Sequence, residues 1–193
     1  MKKISLLFTT ALSVLAFSAC QHKGGSEKTA DSINASKTQD TTALKTHIAV
    51  DPNDAKFAVT AAGDGMAEVT VGKLAVTKAT GLRIKNFAQM MVTDHTKAGN
   101  DLAQIAQKES ITLPAAPDTT SQKKASDLMK KSGKDFDKAY VDAMVDGHEK
   151  AVKLFTDGAK NLKDSTLKAF AVSTLPTLKM HLDSIKAIKA NMK

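Results

Sequence analysis

The amino-acid sequence predicts an all-helical domain with four long helices, and two observations carry this prediction. From Asp51 onward, apolar residues recur every three or four positions in four successive segments, which is the spacing of one face of an α-helix. No segment shows the alternating apolar and polar residues that are typical of a half-buried strand. Four long helices bury their apolar stripes most readily as a four-helix bundle.

The first helix is predicted over residues 52–80. Asp51 followed by Pro52 is a typical helix start, because the aspartate caps free backbone N–H groups and proline is tolerated at the first helical position. The two glycines within residues 63–65 lower helix stability, and they predict a kink or the close approach of another helix. Gly81 separates this helix from the next one.

The second helix is predicted over residues 82–109 and has the clearest amphipathic pattern in the chain. The members of its apolar stripe follow one another at intervals of three or four positions: Ile84, Phe87, Met91, His95, Ala98, Leu102 and Ile105.

A long connection separates the second and third long helices. Its two prolines predict a loop over residues 110–120, and a short helix is predicted over 121–131. The third long helix is predicted over 134–160, and the fourth runs from the Asp164-Ser165 cap to the C-terminus with a kink at Pro176. One long connection between two short ones fits a ferritin-like crossover, so residues 51–193 are assigned to one ferritin-like four-helix bundle domain.

The N-terminal residues predict export and lipid anchoring. Lys2 and Lys3 precede an apolar run over residues 4–17, which is too short for an ordinary membrane span and typical of a signal peptide over residues 1–19. Cys20 follows small residues directly and is the only cysteine in the sequence, so it is predicted to be lipidated as in a bacterial lipobox. An ordinary cleaved signal with a free thiol is the alternative.

Residues 20–50 are predicted to be a flexible tether, because they are rich in polar residues and poor in large apolar ones. The expected location is the cell envelope, at the outer membrane facing the periplasm of a Gram-negative bacterium. Removal of the signal peptide takes away Lys2 and Lys3, which lowers the formal charge from +8 to +6. An exported chain with no tryptophan and one tyrosine lacks stacking platforms for nucleic acid, so the membrane reached through the lipid is the predicted partner.

Three of the five histidines lie near the middle of three predicted helices, on their apolar stripes: His95, His148 and His181. Central positions on packed helices share a similar depth, and metal sites in bundles are built from inward side chains on facing helices. Neutral imidazoles favour zinc, copper, nickel or iron over calcium or magnesium. The pattern therefore predicts a transition-metal site, with Glu68 of the first helix as a fourth ligand.

Two carboxylates adjoin these histidines in the sequence. Asp94 precedes His95 and Glu149 follows His148, and both are predicted to orient an imidazole as hydrogen-bond acceptors. Adjacent helical residues point about 100° apart, so both members of a pair cannot face one ion. The di-iron pattern of one ExxH on each of two helices is absent, as are HExxH, GxSxG and CxxC motifs. These absences disfavour a di-iron oxidase. A non-enzymatic protein is therefore the leading expectation, and a redox enzyme of ferritin-like type, for which the core has few carboxylates, is a third hypothesis.

Two alternatives stay open at this point. The histidines can form a metal-free hydrogen-bonded cluster, which would make the domain a structural or interaction module. The seven methionines after Met1 lie at helical spacing and are typical of core filler, although thioethers also bind soft metals.

Several motifs in order resemble a known family. They are Ala62-Gly63-Asp64-Gly65-Met66-Ala67-Glu68-Val69, Gly72-Lys73-Leu74-Ala75, Phe87-Ala88-Gln89-Met90-Met91-Val92-Thr93-Asp94-His95, Gly133-Lys134-Asp135-Phe136-Asp137-Lys138-Ala139-Tyr140, His148, and Leu175-Pro176-Thr177-Leu178 before His181. Over residues 52–190 the chain resembles the bacterial family named domain of unknown function 4142, whose members are exported and have a predicted ferritin-like bundle. The resemblance implies the fold and an envelope location, makes the matching histidines site candidates, and implies no established activity.

The sequence thus predicts an envelope lipoprotein whose helical bundle binds a metal ion for sequestration, stress protection or structure. The alternative is a metal-free module tethered to the membrane by its lipid.

Overall fold

The structure, a computed structural model, describes residues 25–39 and 50–192. These residues form six α-helices and no strand: α1 (Ser26–Gln39), α2 (Pro52–Lys78), α3 (Leu82–Lys108), α4 (Thr119–Met129), α5 (Gly133–Asn161) and α6 (Ser165–Ala190). The all-helical prediction is confirmed. The predicted signal peptide, Cys20 and the ends of the predicted tether lie outside the described residues. None of the described helices has the length and apolarity needed to cross a membrane.

The predicted helix starts match the observed caps. The Asp51 side chain accepts a hydrogen bond from the backbone N–H of Asn53, and Pro52 is the first residue of α2. Asp164 caps α6 by accepting from the N–H of Leu167 at 2.8 Å. Helix α6 continues through Pro176 without interruption. A helix thus begins where an aspartate satisfies the free N–H groups of its first turn.

Helix α1 corrects the prediction of a flexible tether for residues 26–39. It packs against α2 and is held to the loop after α3 by Asn34, whose side chain donates to the Thr112 carbonyl and accepts from the Thr112 N–H. A Cβ added at Gly63 would collide with the Glu27 carboxylate of α1. Gly63 therefore marks a close helix approach, which was one of the two roles predicted for the glycines, whereas a Cβ added at Gly65 would meet no atom within 4 Å.

The long helices form two hairpins, α2–α3 and α5–α6, and each hairpin caps the turn of the other. Buried Asp137 on α5 accepts from the N–H groups of Thr80 and Gly81 and from the Thr80 hydroxyl, in the turn between α2 and α3. Buried Asp54 on α2 accepts from the N–H groups of Lys163 and Asp164, in the turn between α5 and α6. These reciprocal aspartate caps satisfy polar backbone groups that the packed turns would otherwise leave without partners.

The reciprocal caps fix the helix directions. The start of α2 lies at the end of α5 and the start of α5 lies at the end of α2, so these two helices are antiparallel. Among the described residues, α2 packs against α3 and α5, and α6 packs against α3 and α5. Because α3 and α5 then run in the same direction, the connection that contains α4 must return along the length of the domain. Helix α4 packs against α2 and α5 on the way.

The core consists of two apolar clusters with a polar layer between them. One cluster surrounds Phe87, Phe136 and Ile185, and the other surrounds Phe57, Leu102 and Leu167. On each long helix, one buried histidine or glutamate lies between the residues of the two clusters: Glu68, His95, His148 and His181. The fold therefore places these four side chains at one depth.

Candidate metal centre

Three imidazoles from three helices form a compact triangle in the polar layer. His95 lies on α3, His148 on α5 and His181 on α6, and all three are buried. Their ring centroids are 5.5, 5.6 and 5.4 Å apart. One nitrogen from each ring lies within 4.8 Å of the corresponding nitrogens of the other two. The structure thus brings together the three histidines that the sequence singled out.

Each imidazole has one nitrogen engaged with an acceptor. The Nδ1 atoms of His95 and His148 lie 3.1 and 3.2 Å from the two carboxyl oxygens of Glu68. The His148 Nδ1 also lies 3.0 Å from the Met144 carbonyl oxygen, one helical turn earlier. The His181 Nε2 lies 2.9 Å from Asp94 Oδ2. These partners favour tautomers that carry the proton on the engaged nitrogen and leave a lone pair on the other one.

The remaining nitrogen of each ring is buried and has no hydrogen-bond partner among the described residues. These atoms are His95 Nε2, His148 Nε2 and His181 Nδ1. A buried polar atom without a partner costs about 1–3 kcal/mol, so three in one place form a donor set that suits a bound ligand. A metal ion bound by three imidazole lone pairs would satisfy all three atoms.

The structure changes the roles predicted for two carboxylates. Glu68, predicted as a fourth ligand, instead contacts the Nδ1 atoms of His95 and His148, whereas the unpartnered nitrogens of these two rings are their Nε2 atoms. Glu149, predicted to orient an imidazole, faces solvent and pairs with Lys186 at 2.7 Å. The helical rotation of about 100° between adjacent residues explains this, because burying His148 turns Glu149 outward.

Asp94 takes the predicted role of an acceptor, but for a histidine distant in sequence. Its carboxylate reaches His181 across the α3–α6 contact and does not orient its neighbour His95. The side chain of Asp94 is about one-third exposed, at 35 %. It therefore links the buried triangle to the solvent side of the helix pair.

Burial keeps the imidazoles neutral. Desolvation, reinforced by the neighbouring imidazoles, lowers the pKa of His95 to about 3 and that of His148 to about 4. Desolvation also lowers the pKa of His181, although the hydrogen bond to Asp94 opposes it. At neutral pH the three rings therefore present lone pairs, which is the protonation state that metal coordination requires.

Glu68 is displaced in the opposite direction. Desolvation, with a smaller contribution from Asp64, raises the pKa of the Glu68 carboxyl to about 8. A protonated Glu68 donates its one O–H to one of the two Nδ1 atoms and accepts from the other, so only the ionised carboxylate matches an Nδ1–H on both rings. A cation in the triangle would favour the ionised carboxylate, which accepts from both N–H groups at once.

The donor set fits a transition-metal ion in number and in kind. Three neutral imidazole nitrogens are typical of zinc, copper, nickel or iron sites, and three protein ligands leave one position of a tetrahedral ion free. Nitrogens bound to one zinc ion at about 2.0–2.1 Å lie about 3.5 Å apart. Closing the present triangle of up to 4.8 Å to that separation needs ring displacements on the order of 1 Å.

Two neighbours of the triangle were not singled out from the sequence. Phe87 packs edge-on against His148 and His181, with ring centroids 6.2 and 6.4 Å apart. The Tyr140 hydroxyl is buried without a hydrogen-bond partner in the described part of the chain, and burial and the Glu68 charge both raise its pKa. The sequence places Phe87 and Tyr140 on apolar stripes, as it does ordinary core residues, so it gave no signal that they adjoin a site.

Comparisons with known proteins identify a family and a fold. Residues 37–188 match the model of a family described as a domain of unknown function (DUF4142). A solved structure described as a DUF305 fragment from Deinococcus radiodurans is similar, with a TM-score of 0.65 and 8 % identity over 74 % of this chain and 99 % of that chain. At this identity the likeness shows a shared helical fold alone. No curated protein sequence matches the chain.

Proposed function

The chain belongs to the DUF4142 family, whose description assigns no activity, and from the site itself we propose that the domain binds one transition-metal ion through His95, His148 and His181. The role is storage, buffering or structural use of the ion in the cell envelope, without catalysis. The unpartnered nitrogens carry this proposal. They are buried and belong to three different helices, and the proximity of the three rings, with one nitrogen of each within 4.8 Å of the others, supports a shared ion.

The carboxylates support the same conclusion. An imidazole that binds a metal usually donates its other N–H to a carboxylate or carbonyl, which fixes the ring and raises its basicity. Each of the three rings has such an acceptor in Glu68, Asp94 or the Met144 carbonyl. These acceptors satisfy one buried N–H of each ring and leave its second nitrogen available as a metal ligand.

A metal-free structural module is the second candidate. It is favoured by the contacts that the histidines already make without an ion, namely those of Glu68 and Asp94. In this alternative the polar layer would specify helix register, as buried polar groups do in some helical assemblies.

The experiment that separates the two candidates measures metal content and thermal unfolding of the full-length protein. The protein is stripped with a chelator, and its melting temperature is recorded with and without added zinc, cobalt, nickel or copper. We expect one equivalent of metal and a rise in melting temperature, because a ligand that binds only the folded state stabilises it. If the protein bound no metal and its melting temperature did not rise, the metal site would be contradicted and the structural module would be favoured.

The matched control replaces His95, His148 and His181 with leucine. This variant keeps His22 and His47, which lie outside the described residues, so it reports any binding away from the triangle. We expect the metal-dependent rise to disappear. An unchanged rise would place the metal elsewhere and contradict the proposed site.

The cellular setting of this function is also a proposal. We infer an outer-membrane lipoprotein that faces the periplasm and is anchored through Cys20, on the strength of the short apolar run that precedes this single cysteine. A Cys20→Ala variant should move from the membrane fraction to the soluble fraction. The ferritin-like four-helix arrangement belongs here too, and it is supported by the antiparallel α2 and α5 and by the return connection along the domain.

A further inference from the structure

A cavity of about 1020 Å³ adjoins the histidine triangle. Residues of α2, α3, α5 and α6 line it, and the rings of His95 and His181 form part of its wall. Apart from the site residues, its buried lining side chains are all apolar: Leu102, Ala151, Phe155, Phe170 and Leu178. The volume lies at the upper end of the range of about 300–1,000 Å³ that is typical of small-molecule sites.

The protein supplies three ligands to an ion in the triangle and no fourth one. Among the described residues, the group able to hold a metal consists of the three histidines alone. Glu68 contacts Nδ1 of His95 and His148, and Asp94 contacts Nε2 of His181. An ion would bind the other nitrogen of each ring, so neither carboxylate is placed as its ligand. A tetrahedral ion would therefore keep one open position, as in metal sites that take an exogenous ligand.

The open position faces the cavity. A fourth ligand approaches an ion in a triangle of imidazoles from one side of the triangle or the other. Phe87 closes one side, where its ring packs against His148 and His181 and joins the apolar cluster around Phe136. The cavity lies against His95 and His181, so it provides the remaining approach.

We propose that the metal centre binds an exogenous carboxylate with an aliphatic body, whose head group occupies the fourth position and whose chain fills the cavity. This inference rests on the proposed metal site. An anionic oxygen suits a divalent cation that is held by neutral nitrogens. The apolar lining suits a hydrocarbon, and the small residues Gly65, Ala98 and Ala151 leave room for it beside the triangle.

The test uses cobalt-loaded full-length protein, because the visible absorption of cobalt(II) changes with its coordination. The protein is titrated with acetate and with octanoate, which share a head group and differ in the chain. We expect both to change the spectrum, with octanoate binding at least tenfold more tightly than acetate. Equal affinities would overturn the role of the cavity.

The two proposals fail in different ways. A protein that takes up no cobalt contradicts the metal site itself, and the present inference falls with it. A protein that holds one equivalent of cobalt and shows no spectral response to either carboxylate overturns only the open fourth position.

Cavity-filling variants provide a second measurement. A Cβ added at Gly65 meets no atom within 4 Å, and Gly65 lines the cavity, so Gly65→Leu is chosen to place a side chain there. We expect this variant, or Ala98→Leu, to keep its cobalt and acetate affinity and to lose at least tenfold in octanoate affinity. Ala169→Leu, which is exposed on α6 and does not line the cavity, is the matched control. Unchanged octanoate binding in both cavity variants would overturn the proposal.

Discussion

Glu68 is the residue on which the order of the metal centre depends most. Its two carboxyl oxygens contact Nδ1 of His95 and Nδ1 of His148, so one side chain from α2 orients rings on α3 and α5. Asp94 does the same for His181 from α3. Positioning is thus shared between two acidic residues, of which only Glu68 is buried.

Replacing Glu68 should weaken metal binding without removing a ligand. Glu68→Gln keeps one acceptor oxygen but puts an amide N–H against the second imidazole N–H. We expect metal affinity to fall about 10- to 100-fold, the usual effect of losing a partner of a metal-bound histidine. Competition with a chromophoric chelator measures it. Glu149→Gln is the control, since Glu149 is also next to a histidine but pairs with Lys186 in solvent, and an equal loss there would contradict the assignment.

Stability of the metal-free protein should decrease as the pH falls from 7 to 5. The folded pKa values of His95 and His148 are about 3 and about 4, below the unfolded value of 6.5, and that of His181 is also lowered. Below pH 6.5 unfolding therefore takes up protons. The free energy of unfolding then falls by about 1.4 kcal/mol per pH unit for each histidine. Glu68 acts in the opposite direction, because its raised pKa of about 8 adds stability as the pH falls from 8 to 4.5.

Three histidines outweigh one glutamate, so the net change below pH 6.5 is a loss. Urea unfolding of chelator-treated protein at several pH values measures it. The triple leucine variant should lack the loss, and a wild-type protein that becomes more stable at pH 5 would contradict the neutral, buried histidines.

The identity of the three histidines could be predicted from sequence, whereas the roles of the carboxylates could not. Central positions on apolar stripes fix the depth of His95, His148 and His181. Whether Glu68 contacts the Nδ1 or the Nε2 atom of a neighbouring histidine depends on the rotation of α2 about its axis to within a fraction of a turn. Asp94 shows the same limit, because its partner His181 is 87 positions away and becomes a neighbour only when α3 packs on α6.

Among the secondary-structure elements, the hairpin turns depend on the reciprocal aspartate caps. Asp137→Ala would leave the N–H groups of Thr80 and Gly81 without their acceptor in a partly buried turn. We expect a loss of about 2–3 kcal/mol in the free energy of unfolding, since each abandoned buried donor costs about 1–3 kcal/mol. Urea unfolding of the metal-free protein measures it.

Asp142→Ala is the matched control on the same helix. Asp142 is exposed and pairs with Lys138 and Lys189, so its replacement should change stability by less than about 1 kcal/mol. Equal losses in the two variants would show that Asp137 does not act through the turn.

The long helices were predictable and α1 was not, for a physical reason. Each long helix buries a stripe of large apolar side chains, which periodicity detects. Helix α1 buries only Ala30 and Asn34 among the side chains described, and Asn34 docks by hydrogen bonds to Thr112. Its composition therefore resembles that of a solvated segment, and its contacts depend on a loop that lies far away in sequence.

For the whole molecule, the proposed metal site would be gained at a cost in the stability of the metal-free protein. The unpartnered nitrogens of His95, His148 and His181 are costly in the metal-free core. Replacing all three by leucine should therefore leave the metal-free protein at least as stable as the wild type, while abolishing stabilisation by metal. Thermal unfolding with chelator measures this. A large destabilisation would mean that the histidines serve the fold itself and would favour the structural module.

The reciprocal aspartate caps belong to a wider correspondence between the two hairpins. Asp54 and Asp137 lie 83 positions apart, and the same shift relates Phe57 to Tyr140, Phe87 to Phe170 and Ala88 to Ala171. The two hairpins thus carry the same or similar buried side chains at corresponding positions.

Applied to the metal centre, the shift pairs its four side chains with four residues that all line the cavity: Gly65 with His148, Ala98 with His181, Ala151 with Glu68 and Leu178 with His95. Each hairpin thus contributes two of the four polar side chains and two of the four cavity residues, so the polar site and the space beside it occupy corresponding positions of the two hairpins.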